Sequence, residues 1–242
     1  AWPVANAPTV SGNPTINLLE LATGASLTVS SDLTMNGNAI LNANLDVGAN
    51  TVQVGGTTLN NGTLTISTGA FDANGPFNAS AGAVTFTGAG TLTLADTADL
   101  GTFTAGMSTV NFDGASQAIT GSQTFYNLTK TVTSAATLTF DAGSATVVQN
   151  TLTLQGAAGQ LLSLRSSSPG TDWDIDPQGT RTLSYLDVQD SNNTNGTIID
   201  VIGQNCTDSG DNTNWRFVNE APVITQGEGP LSADVIAEQL GV

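Results

Sequence analysis

A Thr, a bulky apolar residue and a second Thr recur along this chain. The copies are Thr63-Leu64-Thr65, Thr85-Phe86-Thr87, Thr91-Leu92-Thr93, Thr102-Phe103-Thr104, Thr137-Leu138-Thr139 and Thr151-Leu152-Thr153. Successive side chains of an extended strand point to opposite faces, so strict alternation describes a strand with one face buried and one wet. Gly, Asn, Asp and Ser separate the alternating segments, and the 27 glycines suit tight turns. With almost no stretch of helical period, the chain is expected to fold as a repetitive all-β body. Such a body is usually a scaffold, and this one has few residues with which to do chemistry.

The charge is lopsided. Twenty acidic residues face only Lys130, Arg165, Arg181 and Arg216, with no His, giving a net charge of −16. That balance excludes a nucleic-acid binder, which needs a positive stripe. It also argues against anionic membrane surfaces, and no apolar run is long enough for a membrane span. It permits cation binding and favours solubility. Acidic excess with abundant Thr and Asn is the composition of a secreted or cell-surface protein. Cys206 is the only cysteine, so no intramolecular disulfide and no Cys/His metal cluster can form. It is expected to act as a small buried hydrophobe. Aromatic residues make up 5% of the chain, which predicts a narrow core filled by Leu, Val, Ile and occasional Phe.

Along the chain, residues 1–24 break the alternation with three prolines and the cluster Leu18-Leu19-Glu20-Leu21. They are expected to form an N-terminal cap or lead-in, because a solenoid exposes the end of its core and needs a lid. Trp2 could belong to that lid or to a partner's groove. Residues 25–217 carry short strands in close succession, among them Ser26–Ser30, Ala39–Val47, Thr63–Ser67, Ala136–Asp141 and Leu183–Val188. Coils of roughly 20–28 residues would give about seven to nine turns. Two folds compete. An antiparallel sandwich would use Asn-Gly and Asp-Gly hairpins, and Asn36-Gly37, Asn61-Gly62, Asp113-Gly114 and Asn195-Gly196 are present. Neighbouring strands look alike, however, as stacked coils require, and no Trp is expected to anchor a core between two sheets. The sequence therefore predicts a right-handed parallel β-helix. Trp215 and Phe217 could close its last coil. Residues 218–242 form a linker or a donated strand, with a Gly227-Glu228-Gly229-Pro230 breaker and apolar Val235, Ile236 and Leu240.

The runs Phe71-Asp72-Ala73-Asn74-Gly75, Val84-Thr85-Phe86-Thr87-Gly88, Gly101-Thr102-Phe103-Thr104-Ala105-Gly106, Val110-Asn111-Phe112-Asp113-Gly114 and Tyr185-Leu186-Asp187-Val188 resemble the β-helical repeats of large bacterial surface proteins. Those proteins are similar to filamentous-haemagglutinin and autotransporter-type adhesins. The resemblance covers about residues 25–217 and implies architecture more than activity. The segment from Asn219 to Ile224 resembles the entry into a cadherin-like or immunoglobulin-like module.

Three oxygen-rich segments are candidate Ca²⁺ ligands. Asp172, Asp174 and Asp176 fall on one face of a strand, with Trp173 and Ile175 on the other, and repel one another unless a cation or Arg intervenes. The alternative is a wet outer face with Arg165 or Arg181 on a neighbouring coil. Asp187 and Asp190, with Asn192, Asn193 and Asn195, form a second loop. Asp208 and Asp211, with Asn212 and Asn214, form a third. Neither matches a known calcium-loop spacing, and Asn and Asp are common turn residues. An enzyme is not expected, since there is no His for general-base work and no Gly-x-Ser-x-Gly elbow. Thr-x-Thr pairs suit a flat ice-binding face only when they stand in register. The Thr-Leu-Thr copies, at Thr63, Thr91, Thr137 and Thr151, are unevenly spaced. Asn-x-Ser/Thr sequons begin at Asn61, Asn78, Asn127, Asn192, Asn195 and Asn205.

The expectation is an extracellular structural protein that assembles with itself, end to end, into a fibre, sheath or surface layer. Trp2, Leu18, Leu19, Leu21, Val223, Ile224, Val235, Ile236 and Leu240 would make the junctions, in the manner of strand addition. The rival expectation is a monomeric adhesin or stalk module presenting its acidic loops to a glycan or receptor.

Overall fold

The computed structural model describes residues 9–218. All strand pairs are parallel, and the sheets stack as a β-solenoid of about ten turns, with no helix among the described residues. Each turn contributes short strands to successive faces. The first face stacks Thr9–Val10, Ser26–Val29, Asn44–Asp46, Thr63–Ile66, Ala83–Phe86 and Thr102–Thr104. The second runs from Thr15–Ile16 through Thr51–Val54, Thr91–Leu94 and Thr109–Phe112 into the long strands Gln123–Thr131 and Ala145–Gln155. The third stacks five strands from Leu19–Leu21 to Ala98–Asp99; a separate stack of five runs from Gln117–Ile119 to Thr207–Asp208.

Alternation sets the packing. Leu27, Leu45, Leu64 and Val84 are register partners on successive coils and all are buried, as are Val52, Phe71, Leu92, Val110, Leu128 and Leu152 on the second face. Each coil thus buries its apolar residues against like residues above and below, and the column grows coil by coil. Register partners Ser26, Asn44, Thr63, Ala83 and Thr102 lie 18, 19, 20 and 19 residues apart. These coils are shorter than the expected length, which is why the turns outnumber the expectation.

The Asn-Gly sites do not make hairpins. Gly37, Gly62 and Gly114 sit at corners where one coil crosses close over the next, whereas a methyl group on Gly196 would meet nothing within 4 Å. A methyl group on Gly62 would stand 2.1 Å from the Ala43 carbonyl oxygen, and one on Gly37 2.2 Å from that of Asn17. Glycine is required there by the approach of backbone to backbone.

Two features differ from expectation. Thr9–Val10 and Leu19–Leu21 pair in register with Ser26–Val29 and Ala39–Leu41, so the stretch assigned to a cap is already the first coil from Thr9 onward. A Trp does anchor the core. Trp173 is fully buried and stacks on Phe140 at 3.8 Å with the rings 3° from parallel.

Candidate functional site

The described ends of the solenoid are built differently from its middle. At the N-terminal end Leu18 is 53% exposed and Leu19 is partly buried, whereas Leu21 is buried in the first coil. Leu21 is therefore a core residue and unavailable to a partner. At the other end Trp215 and Phe217 stack on each other at 5.7 Å, pack against the core, and leave Val218 71% exposed. The Trp215 indole N–H donates to Ser191 Oγ at 3.1 Å. Trp2, Val223, Ile224, Val235, Ile236 and Leu240 lie outside the described residues.

The expected Ca²⁺ ligands do not gather as the sequence suggested. Trp173 and Ile175 point inward, as alternation requires, which turns Asp174 and Asp176 outward. Asp174 accepts from Asn192 Nδ2 at 2.8 Å, and Asp176 accepts from Asn195 Nδ2 at 2.7 Å and Gln178 Nε2 at 2.8 Å. Asparagine amides on the following turn thus neutralise the crowding that a cation was expected to relieve. Asp172 precedes the strand and instead lines an open depression of about 450 Å³ with Asp208 and Asp211. Asp208 accepts from the Gly210 N–H at 2.9 Å and from Asn212 Nδ2 at 2.6 Å. Asp187 is ion-paired with Arg165 and accepts from the Ser209 hydroxyl. Asp190 is buried at positive φ (56°), and its Oδ1 has no hydrogen-bond partner among the described residues. Among the described residues, no group of three or more His, Cys, Asp or Glu could hold a metal ion.

Arg181 closes a gap in the second face. Among the described residues the strand Thr180–Ser184 pairs only with Ala145–Gln155, while Ile199–Asp200 pairs only with Trp215–Arg216. Between them lies a cavity of about 270 Å³ lined by Gln155, Arg181, Leu183, Asp200 and Gln204 among others. The Arg181 guanidinium spans its end, donating to the carbonyls of Pro177 (2.8 Å), Thr197 (3.2 Å) and Ile198 (3.0 Å) and to Asn195 Oδ1 (3.2 Å). Burial pushes its pKa down and Asp176 pulls it back. Arg181→Met leaves those carbonyls without their donor and is expected to lower unfolding free energy by about 2–3 kcal/mol, read by denaturant titration. Below, Asp200 is held under the usual carboxylate range by its hydrogen bond from Arg216.

The feature that sequence reading missed is Lys130. It is 0% exposed. Its register partner is Leu154, in a column that is otherwise apolar. The signal was there: Lys130 shares the parity of Leu128 in the strand Gln123–Thr131, so alternation alone points it inward. Its Nζ donates to Gly114 O at 2.8 Å, Phe112 O at 3.4 Å and Gln117 Oε1 at 2.8 Å. Burial brings its pKa down to about 8, against a smaller opposing pull from Asp113.

The Thr-x-Thr copies are irregular in sequence because they lie on different faces. Those at Thr91 and Thr151 share the second face. There Thr91, Thr109, Asn127, Thr151 and Thr180 form one outward column, and Thr93, Asn111, Thr129, Thr153 and Thr182 a second. This corrects the inference from spacing: five successive rungs stand in register without a charged side chain. Thr and Asn at such positions are also the ordinary occupants of a wet strand face.

Sequon asparagines Asn61, Asn78 and Asn205 are exposed. Cys206 is half-buried against the core, and burial raises its thiol pKa. No helix among the described residues is long and apolar enough to cross a membrane. Comparison with protein-family models, with curated proteins and with solved structures finds no match to this chain.

Proposed function

We propose that this protein is an extracellular structural component of a bacterial cell surface that assembles head to tail into a fibre, sheath or surface layer. The observation that carries the reading is the pair of open ends. Among the described residues, Thr9–Val10, Thr15–Ile16 and Leu19–Leu21 each pair on one side only, and so do Thr207–Asp208 and Trp215–Arg216, while Thr213 bridges in parallel to Asn192 of the strand Ser191–Asn193. In a stack of parallel strands the two ends are opposite edges of the same ladder, so one copy can continue the ladder of the next. Such a contact is heterologous and does not close, and it propagates as a filament. Leu18, Leu19 and Val218 supply apolar surface at the two junctions. Residues 219–242, with Val223, Ile224, Val235, Ile236 and Leu240, are the proposed donated segment, and Trp2 its counterpart at the other end.

Like-charged rods repel at low salt, and divalent cations are proposed to bridge them through Asp172, Asp208 and Asp211. The uncharged Thr and Asn columns of the second face are where side-by-side approach costs least. The adhesin-like repeat pattern in residues 25–217 fits the same surface setting. Negative-stain electron microscopy with Ca²⁺ and with chelator tests the reading. Regular fibres or sheets are expected with Ca²⁺, and deletion of residues 219–242 should abolish them while the β signal in circular dichroism persists. Dispersed short rods under both conditions would move the assignment to a monomeric adhesin or stalk. Fibres surviving the deletion would remove the donated segment from the account.

A further inference from the structure

The third face is interrupted once along its length. Its first stack ends at Ala98–Asp99 and the next begins at Gln117–Ile119, with no backbone ladder joining them. Side chains span the seam. The Gln117 Nε2 donates across it to Leu94 O at 2.7 Å and Asp96 O at 3.0 Å, and its Oε1 faces Lys130 Nζ at 2.8 Å. Gln117 is 5% exposed and Lys130 0%.

We propose that Lys130 and Gln117 are joined by an intramolecular isopeptide bond that forms in the folded protein and staples this seam. The neutral Lys130 amine adds to Gln117 Cδ. The Cδ–Nζ bond forms, the Cδ–Nε2 bond breaks, and the amide nitrogen leaves as ammonia with the proton that Nζ gives up. One amine and one carboxamide become one secondary amide and one ammonia, with no oxidant or other reactant.

Geometry supports each part of the step. Both reacting groups are fixed, the carboxamide by the Leu94 and Asp96 carbonyls and the amine by those of Gly114 and Phe112. A pair held in this way has an effective molarity of about 10⁵–10⁸ M in favourable cases. Burial excludes the water that would compete. It also lowers the Lys130 pKa to about 8, so that neutral amine is present near neutral pH. Asp113 is the acid whose charge the amine feels, and it pulls the Lys130 pKa part of the way back up. The product also accounts for a cation placed in an apolar column. An isolated buried ammonium is costly, and acylation replaces it with a neutral amide. In a chain with one cysteine, an amide is a covalent link that folding can supply where a disulfide cannot.

The test uses the unmodified full-length protein. Its intact mass should be lower than the sequence mass by one ammonia. Trypsin acting on the denatured chain should cut at Arg165, Arg181 and Arg216 but not after Lys130, because an acylated lysine is not a substrate. Backbone fragmentation of the peptide should give no separated ions between Gln117 and Lys130. An intact mass equal to the sequence, or release of a peptide ending at Lys130, overturns the proposal. So does an ammonia loss that maps to an Asn-Gly succinimide with Lys130 still cleaved. Stability against pH gives a second readout. A free Lys130, ordinarily at 10.5 and lowered to about 8 by folding, makes the unfolded chain bind the extra proton between those values. Its contribution would therefore rise with pH through that window. The cross-linked protein should lack the rise, and finding it, relative to Lys130→Met, counts against the bond.

Discussion

Trp173→Ala is expected to lower unfolding free energy by about 3–5 kcal/mol, the range for emptying a large aromatic site in a packed core. Trp173 is fully buried, lies flat on Phe140 at 3.8 Å, and donates its indole N–H to Gln189 O at 3.1 Å. Alanine removes the stacked ring, leaves a cavity that stacked coils cannot close, and orphans the Gln189 carbonyl. Phenylalanine keeps an aromatic ring on Phe140 and loses the donor and part of the buried volume, so Trp173→Phe should recover much of the loss. Because each coil contacts mainly its neighbours, the effect should concentrate locally. Amide hydrogen exchange should show protection lost first in Ala136–Phe140, Trp173–Pro177 and Ser191–Asn193, while strands on the early coils keep theirs. Uniform loss along the whole rod would contradict a coil-by-coil solenoid.

Gly101→Ala should cost a similar amount, about 3–5 kcal/mol, through the backbone alone. Gly101 has φ of +56°, which L side chains rarely adopt, and a methyl group there would lie 1.8 Å from the Ala79 carbonyl oxygen and 2.8 Å from that of Gly82. The obstacle is backbone on two sides, so no rotamer change relieves it. Gly121→Ala is the control. Its φ is +63° but a methyl group would meet nothing within 4 Å. It carries the dihedral strain without the clash, and should cost clearly less. Equal losses at the two sites, measured by denaturant midpoint, would mean that stacking of the coils is looser than the contacts imply.

Lys130 and the acidic strand show where sequence reading works and where it stops. In Trp173-Asp174-Ile175-Asp176 the period of two correctly turned the aromatic and Ile inward and the carboxylates out. Which groups meet those carboxylates depends on the residue one turn later, at a spacing that loops set. Asn192 and Asn195 reach Asp174 and Asp176 from 18 and 19 residues away. Asp172, Asp208 and Asp211 come together from two segments that the sequence treats as separate loops. The same dependence hid the Thr and Asn columns. Their rungs are consecutive in space, but coil length varies and other faces carry the same motif.

Alternation and composition by themselves determined that this chain is all-β, that its strands bury one face each, and that coils of like sequence stack into a solenoid. These are local consequences of strand periodicity and of a core built from one kind of residue. Only the tertiary structure decided which residues become neighbours across coils. It set the number of turns, the glycine corners, the Trp173–Phe140 stack, the Arg181 bridge, and the meeting of Lys130 with Gln117 at the seam. Register between coils is the reason: a change of one residue in any loop shifts every contact above it, and no local pattern records the sum of those loops.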